Sequence, residues 1–379
     1  MTRRAAFASE TAVPTMKAVV KTAPKDGATE VVDRAMPVAG AGEVVIKVKA
    51  TGICGTDRHI WHWDPSVQFM QTPVIYGHEF CGHVASFGKD VVDLTEGDYV
   101  SAEMHVVCGT CYQCRTGRGH ICSRTKIYGL HHDGCFADYV KVPASNVLKL
   151  PAKISPRVGG FLDALGNATH TALAADLVGK RVAITGCGPI GAMAGAVCEF
   201  AGASELFLVD VSDQALKRSR NWASMAGRRI PVTVLDTRGD GAAKALQLVR
   251  ERTGDGVDVV LEMSGAEPAI NFALDLVRPG GQLCLLGLTS KKDITIRDYS
   301  KNVVFKGVNI QAIIGRKMYG TWYSMLGMLE AGLDVEPIVT AEYDLTQFEQ
   351  AMGTFDRGET WKVVLYPDGK PKQGPTRAA

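Results

Sequence analysis

Hydrophobic and polar positions change their rhythm twice along this chain. From Met16 to about residue 150 the apolar residues come in short alternating or continuous runs, such as MKAVVKT, EVVIKVKATGIC, VIYGHEFCGHVASFG, DYVSAEMHVV and CFADYVKVP. Gly, Pro and Asp separate these runs, which predicts short β-strands joined by many turns. Near Val178 the texture changes. RVAITG, ELFLVD, VTVLD, GVDVVLEMSG and GQLCLLG have the length and Val/Ile/Leu content of buried strands. Between them lie helical stretches: PIGAMAGAVCEFAGA, SDQALKRSRNWASMAG, GAAKALQLVRERTG and PAINFALDLVRPG. Strands alternating with helices specify a doubly wound parallel sheet covered on both faces. After about Val308 the elements are short and mixed again, with a helix expected over TWYSMLGMLEAG.

The expected organisation is an α/β chain with two domains. A mostly-β domain spans residues 16–165, a Rossmann-type nucleotide domain 166–310, and the chain returns to the first domain over 311–366. Residues 1–15 and 367–379 lack apolar periodicity and are expected to be disordered tails. A length of 379 residues exceeds what one hydrophobic core usually organises, which agrees with two.

Composition adds mainly exclusions. Hydrophobic residues make up 46% and charged residues 22%, and the net charge is +2. No basic stripe marks a nucleic acid or an anionic membrane as partner. The first 15 residues carry no apolar h-region, and no run of about 18 apolar residues occurs, so a cytoplasmic protein is expected. In that compartment ten cysteines are not a disulfide framework.

Four of those cysteines fall together as Cys108-x2-Cys111-x2-Cys114-x7-Cys122. Thiolates at such steps fold back to form a tetrahedron around zinc. A ferredoxin-type cluster would space its fourth Cys by three residues and follow it with Pro; here Ser123 follows. A structural zinc is expected.

Gly186, Gly188 and Gly191 spell G-C-G-P-I-G between a predicted strand and a predicted helix. The first glycine permits the sharp bend, the second lets the backbone approach a pyrophosphate, and the third lets helix and strand pack closely. The helix start at Pro189 and Ile190 offers free N–H groups to phosphate. Asp210 closes the next strand, where a carboxylate can accept from both ribose hydroxyls and repel a 2′-phosphate. NAD is the expected cofactor, and Lys217, Arg218 and Arg220 are expected to form a solvated helix face.

Three pieces remain: G-I-C-G-T-D-R-H at 52–59, G-H-E-F at 77–80 and L-D-A-L-G-N-A-T-H-T-A-L at 162–173. Taken singly, Cys54 could be a small buried apolar residue, His78 a core histidine and Asp163 a helix cap. Their order, together with the four-Cys run and the glycine turn, resembles the zinc-containing medium-chain alcohol dehydrogenases over roughly residues 16–365. Within that family, C-G-T-D-x-H, HIWHWD, LGNATHTALAADLVG, LEMSGA and the W-Y helix after I-I-G-R look most like its threonine dehydrogenases. The resemblance implies a GroES-like fold for the mostly-β domain and two zinc ions per subunit. It makes Cys54 and His78 ligands of a catalytic zinc, Glu79 a third or exchanging ligand, and Asp163 a fourth ligand or relay group. Thr56 and His59 would carry the released proton to water. Leu286, Gly287, Leu288, Ile313 and Ile314 would line the nicotinamide half of the site, and His105 could approach it. The implied activity is NAD-linked oxidation of a small secondary alcohol, threonine first and a polyol or vicinal diol as the alternative. A zinc-free reductase or a non-enzymatic NAD-binding protein is the reading from another class. A homo-oligomer, with the tetramer favoured, is also implied.

Overall fold

The computed structural model describes residues 14–289 and 291–371. Both expected tails lie mostly outside the described residues, although a strand already opens at Thr15 (Thr15–Lys21).

Six parallel strands form the nucleotide sheet, in the order Val232–Asp236, Glu205–Asp210, Arg181–Thr185, Val257–Glu262, Val277–Leu285 and Asn309–Ala312. Arg181–Thr185 and Val257–Glu262 are buried along nearly their whole length. Helices cover both faces of such strands, so they carry continuous apolar runs and no alternation. The chain leaves Arg181–Thr185 toward one edge and later returns to its other side at Val257–Glu262. That reversal opens a crevice at the carboxyl ends of the two strands, where Gly186 begins its turn.

Two elements differ from expectation. The helix expected to run through Gly280 stops at Leu276, and the strand starts at Val277. Pro279 disfavours helical geometry at Arg278, which explains the early exit. The edge strand Asn309–Ala312 runs two residues past the expected domain limit at 310, held by parallel pairing with Gln282–Leu285.

The second large sheet is mixed. Its order is Val147–Lys149, Tyr99–Ala102, Phe80–Phe87, Glu43–Ile53, Lys362–Tyr366 and Val339–Asp344, and Tyr139–Pro143 also pairs with Glu43–Ile53. The chain's return is therefore covalent and hydrogen-bonded: Lys362–Tyr366 lies antiparallel to Thr51–Ile53, the strand end that leads into Cys54. Helix Gly320–Glu330 forms as expected from its apolar pattern and packs against helix Leu162–Ala172.

The run VIYGHEFCGHVASFG is one expected strand but two observed ones, Val74–Ile75 and Phe80–Phe87. Gly77 breaks it with φ +98°. A Cβ at this position would lie 2.2 Å from Cδ1 of the buried Phe136 ring. Gly77 thus turns the chain so that His78 and Glu79 enter the molecule's interior. Replacing it with Ala adds both a strained dihedral and an overlap, together costing about 3 kcal/mol or more. We expect Gly77→Ala to lower the melting temperature by several degrees and to lose bound metal, read by calorimetry and metal analysis; unchanged values for both would contradict this role.

Candidate active site

Strand Glu43–Ile53 ends at Cys54, which caps helix Gly55–His62: its Sγ accepts from Thr56 N–H and its own N–H donates to Asp57 Oδ2 at 2.9 Å. The cap fixes the thiol at the mouth of the helix, on the side of the incoming His78. Cys54 Sγ lies 3.0 Å from His78 Nε2. Donor atoms of Cys54, His78 and Glu79 all fall within 4.8 Å of one another.

Behind this cluster sits Asp57, fully buried, with Oδ1 3.7 Å from His78 Nδ1. Glu79 is likewise buried, and its Oε2 pairs with Lys362 Nζ at 2.5 Å while that ammonium donates to Ile53 O at 2.8 Å. Burial pushes Cys54, Asp57 and Glu79 each upward, opposed in part by His78 for Cys54 and Asp57 and by Lys362 for Glu79. Three acids that burial drives toward neutrality need positive charge to ionise. Glu79 Oε1 has no hydrogen-bond partner among the described residues. Thiolate, imidazole and carboxylate are a donor set that zinc takes, with a fourth position left for water or substrate. The residues fit the ion.

Asp163 lies in the same cavity but in a different group of side chains. The buried Arg316 binds its carboxylate, with Nη1 2.9 Å from Oδ2 and Nη2 2.7 Å from Oδ1. Arg316 also donates to both oxygens of the buried Glu103, at 2.9 and 2.6 Å. Trp322 Nε1 donates to Glu103 Oε2 at 2.8 Å, and His105 Nδ1 lies 2.8 Å from both Glu103 Oε1 and Arg316 Nη2. Against the desolvation that would raise it, the Arg316 guanidinium holds Glu103 well below the usual carboxylate range. His105 therefore does reach the site, as part of its wall.

At the nucleotide end, Asp210 Oδ2 accepts from Cys187 N–H at 2.6 Å and Oδ1 from the N–H groups of Val211 and Ser212. The third glycine is forced: a Cβ on Gly191 would lie 2.1 Å from Gly186 O. At Gly188 an added Cβ would meet nothing within 4 Å, and Gly188 lines the cavity, so a side chain there would project into the space a pyrophosphate needs. The turn fits a dinucleotide.

One cavity of about 600 Å³ joins the two ends. Its walls include Cys54, Thr56, His59, His78, Glu79 and Asp163 from one side. From the other come Gly186, Gly188, Pro189, Ile190, Gly191, Asp210, Leu286, Gly287, Leu288 and Ile314. Ile313 is the exception. It is buried in the core, because neighbouring residues leaving a strand point to opposite faces and Ile314 takes the cavity side. Arg218 is also not a purely solvated residue: its Nη1 donates to Gly358 O at 3.0 Å.

Asp57, Glu103, Arg316 and Lys362 were missed as site residues. Asp57 and Arg316 lie inside the quoted C-G-T-D-x-H and I-I-G-R, where they could have been singled out. Glu103 had a weaker signal, a carboxylate inside an apolar β-run, and Lys362 had none.

The four-cysteine run forms a separate lobe. Cys111 Sγ lies 3.7 Å from Cys122 Sγ, and Cys122 Sγ 3.5 Å from Cys108 Sγ. A tetrahedron with Zn–S bonds of about 2.3 Å has S···S edges of roughly 3.8 Å, so the lobe is already dimensioned for the ion. The Thr110 N–H, opposed in part by burial and then joined by that of Cys111, lowers the Cys108 thiol to about 5.

Comparison with known proteins supplies the context. Residues 40–152 match the alcohol dehydrogenase GroES-like domain, and residues 189–331 match the zinc-binding dehydrogenase model. The chain is 43% identical over 356 residues to an L-threonine 3-dehydrogenase of Caldanaerobacter subterraneus subsp. tengcongensis, covering 93% of this chain and 99% of that one. Among solved structures, a protein described as a zinc-binding dehydrogenase from Sinorhizobium meliloti 1021, bound to NADP, superposes with TM-score 0.82 at 25% identity, over 93% of this chain and 100% of that one. The 2R,3R-butanediol dehydrogenase of Bacillus subtilis shares the fold, with TM-score 0.82 at 24% identity over 93% and 99%.

Two outcomes follow from the geometry. Cys111→Ser should reduce metal content by one zinc per chain and make the lobe a preferred site of limited proteolysis; retention of both ions would contradict a four-thiolate site. Arg316→Met leaves Glu103 buried beside no cation and should destabilise the protein by about 3–5 kcal/mol, read by denaturant unfolding.

Proposed function

This chain belongs to the zinc-binding dehydrogenase family, and on that premise we propose that it converts L-threonine and NAD⁺ to 2-amino-3-oxobutyrate, NADH and a proton. The observation that carries this reading is the single cavity shared by the Cys54–His78–Glu79 cluster and the glycine turn. The identity of 43% to an L-threonine 3-dehydrogenase over nearly its whole length supports the choice of substrate.

When bound, zinc supplies Lewis acidity that favours the ionised form of a hydroxyl, and NAD supplies the hydride acceptor. Cys54, His78 and Glu79 hold the metal; Glu79 is the carboxylate whose oxygen lies together with the Cys54 and His78 donor atoms, whereas Asp163 pairs with Arg316. Asp57 lies behind the His78 ring, its Oδ1 3.7 Å from Nδ1. Thr56 and His59 carry the proton out: Thr56 is half-buried in the cavity wall and His59 exposed, its Nδ1 fixed on Asp64 Oδ2 at 2.5 Å. Histidine as a residue type suits a proton transfer near neutral pH. Asp210 receives the ribose hydroxyls and disfavours a 2′-phosphate. Ile127, Leu130 and Ile314 give the cavity apolar walls that thin out water around the reacting carbon. The mostly-β segments 16–165 and 313–366 then form the catalytic domain and 166–312 the nucleotide domain.

The exposed edge strand Asn309–Ala312, with Ile310 at its surface and Val304 and Phe305 just before it, favours a homo-oligomer, with a tetramer as the expected assembly. Among the described residues no helix is long and apolar enough to cross a membrane. A cytoplasmic enzyme acting on a small molecule agrees with that.

NADH absorbance with threonine, sorbitol and 2,3-butanediol tests the substrate. Threonine should give the highest kcat/KM, and an equal or higher value for either polyol would move the assignment to diols. Cys54→Ala should remove one zinc and lower kcat/KM at least roughly a thousandfold, since metal activation is worth several kcal/mol. Light scattering should find an oligomer that Ile310→Lys shifts to smaller species.

A further inference from the structure

Trp361 takes part in neither the metal cluster nor the cavity lining, yet it is almost wholly buried, at 3% exposure, directly behind the glycine turn. Its indole Nε1 donates to Cys187 O at 3.0 Å, across 174 residues of sequence. Its own backbone is fixed from the other side, where Trp361 N–H donates to Thr340 Oγ1 at 2.7 Å. Arg218, from the helix after Asp210, reaches Gly358 O and lies with its guanidinium carbon 5.9 Å from the Trp361 ring centroid. The indole is thus packed on the nucleotide domain, while the strand that Trp361 leads into, Lys362–Tyr366, belongs to the other sheet.

The consequence lies in the peptide that Trp361 grips. Cys187 C=O and Gly188 N–H belong to one planar unit, and in a trans peptide they point in opposite directions. An indole that holds the carbonyl from behind therefore aims the Gly188 N–H away from itself. The neighbouring Cys187 N–H is fixed independently by Asp210 at 2.6 Å. Both peptide planes on either side of Cys187 are clamped, one by the residue that faces the ribose and one by Trp361. A glycine-flanked peptide is otherwise free to rotate, since Gly186 and Gly188 carry no side chains to restrict it.

We propose that Trp361 is a positioning residue for the dinucleotide, holding the Cys187–Gly188 peptide with its N–H presented to the pyrophosphate. The next residue, Lys362, pairs with Glu79, so one dipeptide references the phosphate turn and the metal cluster to the same strand. The proposal rests on the nucleotide reading of the glycine turn.

The test uses the zinc-loaded full chain and isothermal titration with three probes: NADH, ADP, which carries the pyrophosphate, and adenosine, which lacks it. Trp361→Phe keeps most of the ring and removes the donor. It should raise Kd for NADH and for ADP about five-fold, the worth of one hydrogen bond, and leave adenosine within two-fold. Trp361→Leu, an apolar side chain without a donor, is the second variant should the first fail to fold, with the same expectation. Unchanged ADP affinity in a folded variant would overturn the proposal, and so would equal weakening of ADP and adenosine, which marks general loosening. Wild-type protein that binds neither NADH nor ADP would overturn the nucleotide reading itself, and the proposal with it.

Discussion

A half-buried thiol and two buried carboxylates gathered around one histidine cannot all ionise without a nearby cation, and that constraint organises this molecule. Cys54, Asp57 and Glu79 are each pushed toward their neutral forms by burial. Lys362 pairs with Glu79 and acts more weakly on Asp57, and His78 stands between the thiol and Asp57. The remaining demand for positive charge is one that the proposed metal ion would meet, and the rest of the structure can be understood as the scaffold that keeps these groups together. Gly77 bends the chain inward, the cap on helix Gly55–His62 fixes the thiol, and the returning strand Lys362–Tyr366 delivers the ammonium.

A second charged arrangement, Glu103–Arg316–Asp163, has no such demand. Its guanidinium donates to both oxygens of Glu103 and to Asp163 Oδ2, with Trp322 and His105 completing Glu103. A buried pair of this kind contributes little net stability but is costly to break. Its effect here is geometric: it ties the Asp163 carboxylate to Arg316 through Oδ2.

What was legible in the sequence was what lies close together in it. The glycine turn, Asp210 on the next strand and the four-cysteine lobe are each local, so spacing alone carries their geometry. The parallel sheet was legible because covered strands must be apolar throughout. Cys54 and His78, 24 residues apart, needed the family resemblance to be joined. Lys362 and Arg316 find Ile53 and Glu103 across 309 and 213 residues, and no local pattern marks a lysine in an apolar edge-to-core strand as a partner for Glu79. Ile313 and the helix end at Leu276 were misplaced for a simpler reason: side-chain alternation and the restriction before Pro279 act at single residues, below the resolution of an apolar run.

In the proposed enzyme a metal held by Cys54, His78 and Glu79 faces the bound nucleotide and substrate in one cavity. Cobalt(II) exchanged into the catalytic site reports on this directly through its visible absorption bands, which respond to changes in ligand geometry. Adding threonine to the cobalt enzyme in the presence of NADH should shift those bands, and the shift should be absent from His78→Ala. A spectrum unaltered by threonine, in protein that binds NADH, would mean that the metal and the substrate do not meet.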